Sequence, residues 1–340
     1  MMYSYASPPS TSAVGAEAGR SDRGRAPEGV IALDVGGTGM KGAVVDRSVK
    51  PVASLHVPTP RADGPEAVVD AIAGALLALT DRAAARGVTV RDAGVVVPGI
   101  VDEDLQKAVW SANIGWRDLP LAAVLAARTG LRVTLGHDVR AGGVAECVLG
   151  AARGAQNVLF VAVGTGIAAA LVCDGRPLRS GGFAGELGHM VVRAGTVCAC
   201  GGTGCLETVA SASSIAAVYG ARTGRPVAGA ADVAALVEAG DRTARAVWAS
   251  ATEALAEALA AVTTLVAPEL IVLGGGLAEA DRLLLDPVRD GLTARLTFPR
   301  VPLLVRAELG DRAGCLGAGL MAWQAAGHPI PTPLTGASGS

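Results

Sequence analysis

Three cysteines stand close together in Cys198-Ala199-Cys200-Gly201-Gly202-Thr203-Gly204-Cys205, and His189 precedes them. Three thiolates and an imidazole at this spacing suit a tetrahedral zinc, and four protein ligands close its shell, so a structural rather than catalytic ion is expected. The glycines let the loop fold round the ion. Three unligated buried thiols are the competing reading. Two further stretches place glycines at the end of apolar runs, Asp34-Val35-Gly36-Gly37-Thr38 and Val163-Gly164-Thr165-Gly166. A triphosphate needs backbone N–H donors that approach closely, which glycine permits, and Asp34 adds a carboxylate suited to Mg²⁺ through water. Taken alone, the first stretch has a plain hairpin turn as its competing reading. The second partly matches a dinucleotide fingerprint with Ala169 at the third glycine place, although a strand and not a helix is expected after it. A third run, Gly274-Gly275-Gly276, also follows an apolar stretch. No G-x-x-x-x-G-K-[ST] run occurs, which excludes a Walker-type P-loop.

These turns need strands to carry them. Val30 to Val35 reads as a buried strand and Gly42 to Asp46 as its return, followed by a helix over about Pro65 to Arg86 and a strand from Ala93 to Val97. A short helix near Leu119 to Arg128 and a strand from Leu131 to Leu135 lead into His137-Asp138. Asp138 then opens a helical stretch, Val139 to Leu149, where an N-cap is the alternative to a chemical role. A second pattern begins with strands Asn157 to Val163 and Ala168 to Cys173 around Gly164-Thr165-Gly166. It echoes the first hairpin and suggests a duplicated domain. Helices are expected over about Leu206 to Ala221, Ala230 to Ala239 and Asp241 to Val266, then a strand from Leu270 to Leu273 and a last helix from about Gly314 to Ala325. Alternating strands and helices imply an α/β fold.

The 340 residues exceed the usual size of one hydrophobic core, so two domains are expected. They are residues 29–136 joined by the C-terminal helix 314–326, and 137–313 with a zinc loop over 185–207. A net charge of −2 and a pI near 6.1 give no overall attraction for nucleic acid or an acidic membrane. Residues 1–28, rich in Ser, Pro, Gly and Arg and without an apolar core, read as a disordered extension and not a secretory signal. Residues 327–340 read as a disordered tail. The uncharged run from Gly154 to Cys173 is broken by Gly164-Thr165-Gly166 and reads as two strands rather than a membrane span. Clustered cysteines of metal-ligating spacing fit a reducing cytoplasm.

Together these residues resemble the ROK family of sugar kinases and sugar-responsive repressors, over about Val30 to Ala325. The most specific stretch is Gly185-Glu186-Leu187-Gly188-His189 followed by Cys198-x-Cys200-Gly201-x-x-Gly204-Cys205-x-Glu207. The resemblance implies an actin-like ATPase (ribonuclease H-like) fold of two α/β domains with ATP in the cleft between them. Asp34, Gly36, Gly37, Thr38 and Lys41 with Gly164, Thr165 and Gly166 would hold the nucleotide phosphates, and Gly274, Gly275 and Gly276 would lie near the adenosine. Asn113, His137, Asp138, Glu186, His189 and Glu207 would contact sugar hydroxyls. As alternatives, Glu207 caps a helix and Asn113 closes a turn. A homo-oligomer, dimer or tetramer, is expected. Three departures stand out: His137 where the family has Asn, Ala168-Ala169-Ala170 where it has glycines after the second turn, and a His189 to Cys198 spacing one residue short. The first bears on sugar identity and the second on close approach of the nucleotide.

The expected activity is transfer of the ATP γ-phosphoryl to a hexose hydroxyl, O6 of glucose foremost, with Mg²⁺ bridging phosphates and Asp138 as base. Fructose, N-acetylglucosamine and N-acetylmannosamine are alternative acceptors. A sugar-responsive repressor would need a helix-turn-helix module, for which the stretch before Val30 is too short and too rich in Gly, Pro and Ser. A dinucleotide-dependent oxidoreductase, using Gly164-x-Gly166 with Glu186 on the ribose, explains neither the zinc cluster nor the first hairpin.

Overall fold

The computed structural model describes residues 27–329. The extension expected over residues 1–28 and the tail expected over 327–340 lie almost wholly outside the described residues, although Glu28 already opens the first strand. In chain order come β1 (Glu28–Val35), β2 (Gly39–Val45), β3 (Pro51–Pro58), α1 (Pro65–Ala84), β4 (Thr89–Val97), β5 (Ile100–Asp102), β6 (Lys107–Trp110), β7 (Arg117–Leu119), α2 (Leu121–Thr129), β8 (Arg132–His137) and α3 (Asp138–Leu149). They are followed by β9 (Val158–Val163), β10 (Ile167–Cys173), β11 (Arg176–Pro177), α4 (Glu207–Ala210), α5 (Ala212–Thr223), α6 (Ala230–Glu238), α7 (Arg242–Val266), β12 (Leu270–Gly274), α8 (Arg282–Arg295), β13 (Leu303–Arg306) and α9 (Ala313–Ala325).

Two five-stranded sheets repeat one topology. The first has the order β3-β2-β1-β4-β8 and the second β11-β10-β9-β12-β13, each with an antiparallel hairpin beside parallel strands. The echo between the two glycine turns is thus a repeat of whole sheets. The central strands are largely apolar because both faces are covered. In β1, Ile31, Leu33 and Val35 pack with α1, while Val30 and Ala32 turn the other way onto α9. In β9, Leu159, Val161 and Val163 join the helices of the second half, and Val158 and Phe160 face the opposite core. Helix α9 packs on β1 and β4, α3 packs on β9 and β10, and α3 and α9 pack on each other, which joins the sheets back to back. The Gly154 to Cys173 run is the β9–β10 hairpin, as expected.

The helix expected from Leu206 to Ala221 is two, broken at Ser211, whose hydroxyl accepts the Ser214 amide at 3.1 Å and caps α5. The 25-residue α7 is long and apolar enough to cross a membrane on those criteria alone, but half of its most apolar stretch is buried in the second core. Strands β3, β5, β6, β7, β11 and β13 and helix α8 had no counterpart in the sequence reading. Helix α8 contains Pro287, which has no N–H for the Leu283 carbonyl. That carbonyl instead accepts the Trp248 indole N–H of α7 at 2.9 Å.

Candidate functional site

A cleft of about 560 Å³ lies between the two halves, lined from the first by Pro98–Ile100 and Trp110–Asn113, and from the second by Gly164–Ala168, Glu186, His189, Glu207 and Gly275. His137, Asp138 and Val139 join the lining where β8 runs into α3. All six residues expected to contact a sugar, Asn113, His137, Asp138, Glu186, His189 and Glu207, therefore meet in one space with the second glycine turn.

Asp138 is the first residue of α3 but does not cap it. The cap is His137, whose Nδ1 accepts the Arg140 amide at 3.2 Å, and Asp138 Oδ1 accepts the Val139 amide at 2.7 Å. The N-cap alternative for Asp138 is thereby replaced: its carboxylate lines the cleft and its side chain is 26 % exposed. Burial pushes its pKa up to about 6, against the pull of the Val139 amide and the Arg140 charge. Burial first, and then the Arg140 charge, drives the His137 pKa down to about 4, so the ring is neutral at pH 7. With Nδ1 occupied as an acceptor, the ring proton sits on Nε2, 3.5 Å from Asp138 Oδ1.

Asp34, at the end of β1, is not in the cleft lining but lies close enough to Asp138 to feel its charge. Burial raises its pKa to about 7, helped by Asp138 and Asp311 and opposed by Lys41. Two carboxylates gathered with little compensation form a donor set that a divalent cation would relieve. The turn after Asp34 is closed by Gly36 N–H to the Gly39 carbonyl at 2.9 Å, and the Thr59 hydroxyl donates to the Gly36 carbonyl at 2.7 Å. Lys41 pairs with Asp311 at 2.8 Å. Gly36, Gly37, Thr38 and Lys41 stand apart from the cleft lining, as do Gly274 and Gly276, and only Gly275 of that run reaches it.

Glu207 opens α4 without capping it; its Oε2 accepts the Ile167 amide at 2.8 Å, tying the cleft floor to the strand after Gly166. Of the three alanines after this turn, only Ala168 faces the cleft. Ala169 and Ala170 are buried in the two cores, so two of the three supposed obstacles to a nucleotide point away from it. A strand follows Gly166, which removes the helix a dinucleotide fingerprint requires.

The His189 ring, Cys198, Cys200 and Cys205 place their ligand atoms within 4.8 Å of one another. Cys198 Sγ lies 3.7 Å from His189 Nδ1, and Cys200 Sγ lies 3.7 Å from Cys205 Sγ. With Zn–S near 2.3 Å and Zn–N near 2.0 Å, tetrahedral edges come to about 3.5–3.8 Å, so the residues fit such an ion. The short His189 to Cys198 spacing is absorbed by the loop. Gly204 is required there, since its φ is +79° and a Cβ would lie 1.6 Å from the Arg193 carbonyl oxygen. His189 Nε2 stands 3.8 Å from Glu186 Oε2, so the imidazole spans the distance from the cysteines to the cleft.

Sequence reasoning did not single out Glu103, Gln106 or Arg140, which sit behind His137–Asp138. Glu103 Oε1 accepts the His137 amide at 3.2 Å and Arg140 Nε at 2.8 Å. Each is one charged or polar residue in a turn or helix, and only the fold brings them together.

The ROK family model matches residues 30–325. The chain belongs to the ROK family. This ROK protein is 34 % identical over 322 residues to a glucokinase of Halalkalibacterium halodurans, covering 86 % of this chain and 94 % of that one. It is 31 % identical over 299 residues to an N-acetylmannosamine kinase of Salmonella typhimurium, covering 86 % and 97 %. The structure of a ROK family glucokinase from Streptomyces griseus in complex with glucose and AMPPNP superposes with a TM-score of 0.74 at 29 % identity, over 87 % of this chain and 99 % of that one. The repeated sheets are accordingly those of the actin-like ATPase fold.

Proposed function

We propose that this ROK protein transfers the γ-phosphoryl group of ATP to O6 of glucose. It is an ATP-dependent sugar kinase, a phosphotransferase with an alcohol acceptor. The observation that carries the reading is the cleft itself: Asn113, His137, Asp138, Glu186, His189 and Glu207 border one space directly beside the Gly164–Gly166 turn. Carboxylates accept hydrogen bonds in pairs and suit vicinal diols, while the neutral His137 offers an Nε2 donor.

In this reading Asp138 is the general base. Its pKa near 6 leaves it ionised at neutral pH yet basic enough to take the hydroxyl proton as the oxygen bonds to phosphorus and ADP departs. Asp34 would hold Mg²⁺ through water, and the cation would neutralise phosphate charge. The turns at Gly36–Thr38, with Lys41, and at Gly164–Gly166 would bind phosphates from opposite sides, and Gly274–Gly276 the adenosine side. A zinc ion on His189 Nδ1, Cys198, Cys200 and Cys205 would orient Nε2 of the same ring toward Glu186 and the sugar. Residues 29–136 with 314–326 would form one domain and 137–313 the other, closing on the substrates to exclude water.

The similarity to an N-acetylmannosamine kinase favours one second reading, an acylated hexosamine as acceptor. ADP release measured over a panel of hexoses and N-acetylhexosamines tests both. Glucose is expected to give the highest kcat/KM, and a clear preference for N-acetylmannosamine would replace glucose with that sugar.

A further inference from the structure

Glu103 lies in the turn between β5 and β6 and is almost fully buried, as is Arg140 on α3. One oxygen of Glu103 accepts Arg140 Nε at 2.8 Å and the His137 amide at 3.2 Å, and the other forms an ion pair with Arg179 Nε at 2.8 Å. Arg140 also donates to two carbonyls, from Nη1 to Ala184 at 3.3 Å and from Nη2 to Val101 at 3.5 Å. Ala184 immediately precedes Gly185-Glu186. Gly185 is pressed against β10 from the other side: its φ is +99° and a Cβ would lie 2.0 Å from the Ala169 carbonyl oxygen. Gln106, in the same turn as Glu103, accepts the Leu135 amide at 2.6 Å and donates to the Leu135 carbonyl at 3.2 Å. The β5–β6 turn thus grips the end of β8, the start of α3 and the loop that carries Glu186.

We propose that Arg140 and Glu103 are positioning residues that hold the Glu186 loop of the second half in register with His137 and Asp138, so that the sugar meets both at once. This rests on the kinase reading above. A buried ion pair is a poor source of stability, since removing both charges is often neutral, whereas removing one takes from the other its buried partner and leaves Glu103 only the half-exposed Arg179. Its value here is geometric: a planar guanidinium whose three nitrogens donate in fixed directions joins a turn, a helix and a loop drawn from both halves. Neither side chain lines the sugar cleft.

The test uses the full chain as wild type, Glu103→Gln, Arg140→Met and the double variant, with glucose and ATP titrated separately by ADP release and the thermal midpoint measured beside them. Each single variant is expected to melt earlier and to raise the glucose KM by about 10- to 100-fold, with the ATP KM held within about twofold. The double variant is expected to recover most of the thermal midpoint, because no buried charge is left alone, while its glucose KM stays raised. A double variant with wild-type glucose KM overturns the proposal, as do single variants that raise both KM values equally. If a single variant fails to fold, the double variant still decides. A wild-type protein without hexose-dependent ADP release refutes the kinase reading instead. Glucose binding followed by the fluorescence of Trp110, which lines the cleft, then compares wild type with the double variant, and equal affinity overturns the positioning role.

Discussion

Replacing Asp138 by Asn separates chemistry from stability with opposite signs. The cap of α3 is the His137 ring, and the Val139 amide can be accepted by an Asn oxygen as well as by a carboxylate, so the local hydrogen bonds survive. What changes is charge. Burial raises the Asp138 pKa from 3.8 to about 6, roughly two units at ~1.4 kcal/mol each, so its ionisation costs the folded state up to about 3 kcal/mol at neutral pH. The sign follows from the raised value. The Asp138 share of wild-type stability falls as pH rises from about 4 to about 6 and is level above, whereas the Asn variant lacks that loss. The variant should therefore match the wild type near pH 4 and melt several degrees higher at pH 7. Asn cannot take the acceptor proton, and a positioned base contributes about 10² to 10⁴ in rate, so kcat for glucose should fall by that factor. Thermal unfolding at pH 4 and 7 beside ADP-release kinetics reads both effects. Wild-type kcat in Asp138→Asn would refute its role as base, and a variant no more stable at pH 7 than the wild type would refute the costly, partly buried carboxylate.

Protein purified without added metal should carry one zinc per chain by elemental analysis; Cys200→Ala should lose it and bind glucose more weakly, because His189 spans from the cysteines to Glu186. Metal-free wild type, or unchanged glucose affinity in Cys200→Ala, would contradict this. The wild-type kcat/KM for glucose should be level above pH 7 and drop about tenfold per unit below pH 6, as Asp138 gains its proton. A profile level down to pH 5 would exclude an Asp138 base. Gly185→Ala should destabilise the chain by roughly 2 kcal/mol or more and weaken sugar binding, since its Cβ would meet the Ala169 carbonyl at 2.0 Å in a left-handed backbone. Wild-type melting and affinity would show that the loop yields freely.

Much of the site was legible because its signals are local. The Cys198-x-Cys200 and Cys205 spacing encodes a loop small enough to converge on one point, and Gly-rich turns between apolar runs mark hairpins wherever they fall. Asp138 was visible as a carboxylate at a strand-to-helix junction, but its neighbour's role was not: that His137 caps α3 depends on a ring torsion no sequence pattern reports. Glu103, Gln106 and Arg140 were invisible for a different reason. Glu103 and Arg140 are 37 residues apart and Arg140 and Ala184 are 44 apart, so only packing of the β5–β6 turn on α3 creates the cluster. The same holds for Glu146, fully buried on α3, which accepts the amides of Ala151 at 2.8 Å and Leu309 at 2.9 Å and so joins both segments that connect the two sheets. The missed strands β5 to β7 are only three or four residues each, too short for alternation to register. Helix α8 was hidden by Pro287, whose missing donor is replaced from another helix.

The central claim is that this cleft phosphorylates glucose at O6, and the most direct measurement is the product itself. Wild-type protein is incubated with Mg²⁺, ATP and glucose, and the phosphorylated carbon is assigned by NMR, with 6-deoxyglucose as the paired substrate. The account predicts glucose 6-phosphate formed in step with ADP, and no phosphoryl transfer to 6-deoxyglucose. Phosphate on another carbon, turnover of 6-deoxyglucose, or no product from glucose would contradict it.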